Sequence, residues 1–396
     1  MGVKTKVYTE LFKNSFSIPM KIEYWNGEIV KLGDGEIEAF IKINEPLDWK
    51  KVSEDASIAL AEAYMDKKIE INGPLKELIV SAYGNKESFL ESKKFRLLKI
   101  VQKHDKKKSS EDIQYHYDIG NDFYEHWLDN SMTYSCAYFK SENDSLEKAQ
   151  EQKIEHILNK LRLKPTDHLL DIGCGWGNLI ITAAQKYGVK ATGCTLSKEQ
   201  YNLVNKKIER ANLKDLVAVE LLDYRDAAKG KVKYDKIASV GMFEHVGKEN
   251  IPEYISCIKK LLKDRGLALI HGISGQRDFY DDSLGTNGFL NKYIFPGGYI
   301  PSLAELMIPI NQENMSLIDL ESLRRHYQLT LDEWYRRFKE NWDVILADKG
   351  ERFMRMWEVY LQGCAAIFES GNLDVCQYLI EKGTDNTRPL TRKYME

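Results

Sequence analysis

LLDIGCGWGNL, residues 169–179, is the stretch that decides the fold. An apolar run ends at Asp171, and Gly173, Gly175 and Gly177 then lead into a helical pattern starting at Asn178. Glycine permits a tight turn and lets a backbone approach a ligand closely. The spacing is G-x-G-x-G, not the G-x-G-x-x-G that seats a dinucleotide pyrophosphate on a helix N-terminus. Taken alone, the segment also reads as nothing more than a tight strand–helix connection.

The neighbouring sequence sharpens it. Strand-like runs recur at 167–172, 189–195, 217–222, 234–240 and 267–273, with helical patterns at Asn178–Tyr187, Lys198–Ala211 and Glu249–Leu262. This alternation predicts an α/β class: a parallel, doubly wound, Rossmann-like sheet with helices on both faces. In such sheets ligands bind beyond the carboxyl ends of the strands. Here those ends carry Asp171, Thr195, Asp223–Tyr224–Arg225, Glu244–His245 and His271. Five polar strand ends on one rim mark a site. The last 80 or so residues read as helices rich in aromatics.

Residues 1–90 read as a small α+β domain. KIEYWNGEIVKLG carries a hairpin signal at Asn26–Gly27, further strands follow in GEIEAFIKI and KKIEI, and a helix is expected over Ser53–Tyr64 from a serine N-cap. The linker 91–110 holds eight Lys/Arg against two acidic residues. It is either a solvated charged helix or a basic face for anionic lipid headgroups, each cation contributing about 1 kcal/mol. Over 396 residues, 43% are hydrophobic and 30% charged, and the net charge of −3 gives no reason to expect nucleic acid. The six cysteines form no CxxC pair and no zinc-like spacing, so free thiols in a reducing cytoplasm and no metal are expected. Nothing reads as a secretory leader, and no run approaches the ~20 apolar residues that span a bilayer. Any membrane contact is therefore expected at the surface.

YHYDIGNDFYEHWLDNSMTYSCAYF (115–139), LLDIGCGWGNL, CTLSKEQ (194–200), DYRD (223–226), MFEHVG (242–247), HGIS (271–274), KYIFPGG (292–298) and LRRHYQLTLDEWYRRF (323–338) carry a resemblance. Together they resemble the cyclopropane-fatty-acyl-phospholipid synthases over essentially all of 111–396. The resemblance implies a class I S-adenosylmethionine methyltransferase domain with a lipid tunnel. Residues 1–90 would be a lipid- or membrane-associating domain, which favours a phospholipid acyl chain over a mycolic acid. Tyr134 and Ser135 would close over the cofactor, and Asp171, Gly173, Gly175 and Gly177 would form the turn beneath its methionine part. Thr195 and Gln200 would hold the ribose, with Tyr224 and Arg225 beside the adenine.

An alkene is a weak nucleophile, and its methylation leaves a cation that must lose a proton for a ring to close. That demands a dry pocket and a base. The resemblance implies bound bicarbonate as the base, held by Cys136, Glu244, His271 and Tyr327 with a backbone contact at Ile273. Cys364 matches a cysteine associated with the active site. Phe289, Tyr293 and Phe295 are candidate walls for the acyl chain, though aromatic stripes are more often plain core. A homodimer in the cytoplasm, attached to the inner face of the membrane, completes the expectation. Methyl branching without ring closure, and a lipid-binding scaffold with a decayed enzyme fold, stay open. The quartet Cys136, Glu244, His271 and Tyr327 discriminates among them.

Overall fold

Leu169 and Leu170 are adjacent in one strand, yet they serve different cores. The side chains of a strand alternate between faces, so Leu169 packs with Ile154, Ile157, Leu179 and Val204, whereas Leu170 packs with Tyr254, Ile258, Leu306 and Ile310. The sheet is thus covered on both faces, as a parallel sheet requires. The computed structural model describes residues 2–84, 119–275 and 288–396. The basic linker 91–110 lies outside the described residues.

Seven strands form this sheet: β5 (His168–Ile172), β6 (Lys190–Thr195), β7 (Val217–Leu221), β8 (Tyr234–Val240), β9 (Leu262–Gly275), β10 (Met315–Ser322) and β11 (Leu373–Lys382). Their order is β10-β11-β9-β8-β5-β6-β7. β5 pairs in parallel with both β6 and β8, and β8 with β9, while β10 and β11 are antiparallel. The chain winds outward in both directions from β5, so a crevice opens beyond the carboxyl ends of β5 and β8, where ligands bind in such sheets. The five expected parallel strands are present, and the helices Asn178–Tyr187 and Lys198–Arg210 follow their patterns closely. The all-helical reading of the last 80 residues is corrected: β11 lies there, and β10 runs into it. Nine consecutive residues of β11, from Leu373 to Glu381, are buried, so the strand shows no polar alternation to read.

By internal packing the chain forms two units: Met1–Val101 with Arg277–Ile294 and Leu331–Leu373, and Gln102–Gln276 with Phe295–Thr330 and Asp374–Glu396. The first therefore recruits segments far from the N-terminus, which the boundaries at 90 and 111 do not anticipate. Its four-stranded sheet runs β2-β1-β3-β4, from β1 (Met20–Glu23), β2 (Ile29–Leu32), β3 (Ala39–Ile43) and β4 (Ile69–Asn72). β1 and β2 make the expected hairpin, with Gly27 at φ +80° in the turn. The expected helix from Ser53 is instead two helices, Trp49–Glu54 and Ala56–Met65, broken at Asp55. The Asp55 carboxylate caps the second by accepting from Ile58 N at 3.0 Å. Helix Glu351–Glu369 packs on Ala56–Met65 and Leu75–Gly84. Glu358 on it accepts from the hydroxyls of Tyr64 and Tyr335, each at 2.7 Å.

Candidate active site

The crevice holds a cavity of about 150 Å³, walled by the segments that leave β5, β6, β7 and β8. Gly173 stands at φ +77°, and a Cβ there would lie 2.8 Å from Met242 Cγ. Its N–H and that of Cys174 both donate to Cys194 O at 3.0 Å, which locks the turn to β6. Gly175 is left-handed at φ +54°, and a Cβ there would meet nothing within 4 Å, so the cradle is open where a side chain would fill it. Gly177 does not line the cavity. Its Cβ would sit 2.8 Å from Val204 Cγ1, so the structure gives it a packing role and does not bring it to the cavity.

Tyr134 and Ser135 line the cavity, and Tyr134 is braced at 5.4 Å by both Tyr124 and Trp127. Thr195 donates to Gln200 Oε1 at 2.7 Å, so the two expected ribose partners arrive as a fixed pair. Arg225 is clamped by Asp223 through Nε–Oδ1 (2.9 Å) and Nη2–Oδ2 (2.7 Å). That fork spends the guanidinium on its neighbour and leaves Tyr224 to present a ring. Asp171 is buried, and burial lifts its carboxyl to about 7 against the opposing field of Lys153. Its Oδ1 has no hydrogen-bond partner among the described residues. An orphaned acceptor beside an open glycine cradle fits a ligand that carries an ammonium group.

A second group lies further along β8 and β9. Val240 pairs with His271, and Gly241 N donates to His271 O at 2.8 Å, so the turn carrying Glu244 lies beside β9. Ile273 N donates to Glu244 Oε1 at 2.8 Å, and Oε2 is buried without a partner among the described residues. The Ile273 N–H, expected to contact bicarbonate, here donates to Glu244. Burial lifts Glu244 to about 7 against that hydrogen bond. His271 is pulled down to about 3, first by burial and then by the fields of Lys153 and Lys160, so it stays neutral. Gln377 Nε2 lies 3.3 Å from His271 Nδ1, and with the amide as donor the ring proton sits on Nε2. Cys136 is buried, and burial pushes its thiol up, so it remains S–H. Its sulfur lies 3.9 Å from Leu323 O, the same carbonyl that accepts from Tyr327 N at 3.0 Å. Lys153 acts on Cys136 as well as on His271, which puts both in one electrostatic neighbourhood.

Lys153 is the residue that sequence reasoning missed. It projects from helix Leu146–Lys160, where a lysine reads as a solvated face. Here it is buried, lines the cavity and donates to Ser135 Oγ at 2.9 Å. No sequence signal marks it, because only the burial of the helix face distinguishes it from its neighbours.

Cys364 and Phe289 belong to the first unit. They line a separate apolar cavity of about 200 Å³ together with Phe16, Leu60, Leu78 and Tyr360. Burial pushes the Cys364 thiol up to about 12. Tyr293 does not line this cavity: its hydroxyl donates to Glu62 Oε1 at 2.7 Å. Phe295 lines neither cavity and sets its edge on His245, with ring centroids 6.1 Å apart. Neither is brought to these two cavities. Tyr138 is stacked between His156 and His326 at 4.2 and 4.7 Å.

Residues 104–378 match the family model described as mycolic acid cyclopropane synthetase, and residues 7–94 match one described as a domain of unknown function. A probable fatty acid methyltransferase of Pseudomonas putida is 36% identical over 93% of this chain and 93% of its own length. The cyclopropane-fatty-acyl-phospholipid synthase of Escherichia coli (strain K12) is 34% identical over 89% of this chain and 90% of its own. Among solved structures, the mycolic acid cyclopropane synthase CmaA1 complexed with SAH and CTAB matches at TM-score 0.65 and 33% identity. That match covers 71% of this chain and 99% of the other.

Proposed function

The chain belongs to the mycolic acid cyclopropane synthetase family of S-adenosylmethionine-dependent methyltransferases, and from that premise we propose that it makes cyclopropane rings in phospholipid. The reaction adds a methylene to the cis double bond of an unsaturated phospholipid acyl chain, with bicarbonate as the bound base. The observation that carries this reading is the Glu244 carboxyl, held by Ile273 N, with Oε2 buried and unpartnered among the described residues.

When bound, S-adenosylmethionine supplies an electrophilic methyl, and bicarbonate supplies an oxyanion that can take up the proton shed as the ring closes. The chain's residues do the rest. The Gly173–Gly175 turn and Asp171 hold the methionine portion, and Thr195, Gln200, Tyr224 and Arg225 take the nucleoside. Cys136, His271 and Tyr327 offer S–H, N–H and O–H donors to an oxyanion. Ile273 holds Glu244 in place, and a carboxyl raised to about 7 can either accept or donate toward that oxyanion. Burial of Cys136 and His271 keeps out the water that would quench an electron-poor carbon. The apolar cavity of the first unit, which holds Phe289 and Cys364, supports a long-chain substrate rather than a small polar one.

In the same reading the enzyme works in the cytoplasm as a homodimer on the inner face of the membrane, which the basic run 91–110 supports. The test incubates the protein with S-adenosylmethionine and vesicles of an unsaturated phospholipid, with and without carbon dioxide removed. One added methylene per chain, loss of olefinic protons and dependence on bicarbonate are expected. A methyl branch or a retained olefin would sink ring closure, and full turnover without bicarbonate would sink the base.

A further inference from the structure

Lys153 is 3% exposed, yet its ammonium makes one hydrogen bond, to the neutral hydroxyl of Ser135. Among the described residues no carboxylate comes within 4 Å of it. Lys160, about two turns along the same helix and equally buried, is a contrast: it pairs with Asp319 at 3.1 Å and with Glu321. An ammonium taken out of water costs several kcal/mol unless charge and hydrogen bonds compensate. Burial pulls Lys153 down to about 8, even though Asp129, Cys136 and Asp171 act to keep it protonated. Asp171, the carboxylate that shares its cavity, is equally uncompensated and has an orphaned oxygen. Two opposite charges therefore border one cavity without touching. That arrangement suits a ligand with its own charges to insert. The groups expected to hold an oxyanion, Cys136, His271, Glu244 and Tyr327, include no cation, and of the two lysines acting on His271 only Lys153 is unpaired.

We propose that Lys153 is the counter-ion for a carboxylate-type anion bound beside Ser135. The chemistry is an O–C–O anion, and two sources can provide it: the α-carboxylate of the cofactor's amino-acid portion, or free bicarbonate. The inference rests on the cofactor and base assigned above, but its cofactor arm is independent of ring closure. Charge compensation leaves the spare N–H donors of Lys153 to the anion, and it leaves Asp171 to the α-ammonium group in the first case.

The test is calorimetric and needs no turnover. Wild type, Lys153→Met and Lys153→Arg are titrated with S-adenosylhomocysteine and with 5′-methylthioadenosine, which lacks the amino-acid portion. Broadening of the ¹³C signal of labelled bicarbonate is recorded for each protein. If the cofactor carboxylate is the partner, Lys153→Met weakens S-adenosylhomocysteine at least about tenfold, methylthioadenosine is unchanged, and Lys153→Arg recovers part of the loss. If bicarbonate is the partner, both nucleosides bind Lys153→Met as they bind wild type, but the carbonate broadening disappears. Wild-type behaviour of Lys153→Met toward all three ligands overturns the proposal. Equal weakening of both nucleosides, with Lys153→Arg no better, overturns it too, since that is the mark of a merely structural lysine. Should wild type itself fail to broaden bicarbonate, the base assigned above fails while the cofactor arm still decides the role of Lys153.

Discussion

Glu244 and Cys364 were both candidates from sequence, and their surroundings separate them. Glu244 has a hydrogen-bonded setting, its Oε1 accepting from Ile273 N, whereas Cys364 lines an apolar cavity. Glu244→Gln is expected to lower kcat by about 100-fold or more, the scale of a lost acid–base group. Cys364→Ser should stay within about tenfold of wild type and lose instead about 1–3 kcal/mol of stability, the cost of a hydroxyl in an apolar setting. Comparable turnover losses would reverse that ranking. Glu244 also leaves a mark on stability without any substrate. Its folded value, about 7, lies above its ordinary 4.5. Between these the unfolded chain has already released a proton that the native protein keeps, so Glu244 costs the native state stability as pH rises from 4.5 to 7. Glutamine cannot titrate. Denaturant unfolding at pH 5 and pH 7.5 should therefore show Glu244→Gln gaining on wild type across that window. A constant gap would mean that the carboxyl is not perturbed. Residues at strand ends, such as Asp171 and Thr195, were legible because topology alone puts them on the rim. Lys153 was not, because burial of one helix face is a tertiary fact.

The strand–turn–helix element is where reading went furthest, and it also shows what spacing cannot tell. Three glycines in G-x-G-x-G look equivalent in sequence, yet only two border the cavity. Gly175→Ala keeps a left-handed φ of +54° and adds a methyl in open space. It should cost about 1 kcal/mol of stability and weaken S-adenosylhomocysteine markedly. Gly177→Ala drives a methyl to within 2.8 Å of Val204 Cγ1, and overpacking of this kind costs about 1–3 kcal/mol. Its melting temperature should fall while affinity for the nucleoside holds. Thermal melts and calorimetry on the pair check the split, and matching effects in both variants would return Gly177 to the binding group. β10 and β11 were illegible for a different reason. β11 is buried on both faces and has no period-2 signal, and it follows directly on an amphipathic helix whose own apolar residues blur its start. β10 is largely exposed, and its burial pattern does not alternate either.

Across the whole chain, the two family matches cover 7–94 and 104–378, and packing groups the residues otherwise. Residues of Met1–Val101 share a unit with Arg277–Ile294 and Leu331–Leu373. Such a grouping depends on pairings more than 250 residues apart, such as Tyr64 with Glu358 and Lys76 with Asp332, which no local pattern announces. Deletion of residues 1–90 therefore removes more than an appendage. It strips the partners from one face of helix Glu351–Glu369, where Val359, Tyr360, Gly363 and Ile367 line the apolar cavity, and exposed apolar surface of that size promotes association. Every residue lining the nucleoside cavity lies within Ser131–Val246, in the other unit. The truncated protein should therefore bind S-adenosylhomocysteine with near-native affinity in calorimetry. It should also bind a hydrophobic dye, tend to aggregate, and fail to modify phospholipid in vesicles. A truncated chain that stays monodisperse, leaves the dye unbound and modifies vesicles at the full-length rate would show that the N-terminal residues neither complete this core nor serve the lipid substrate. Loss of nucleoside binding would instead show that the catalytic unit needs them to fold.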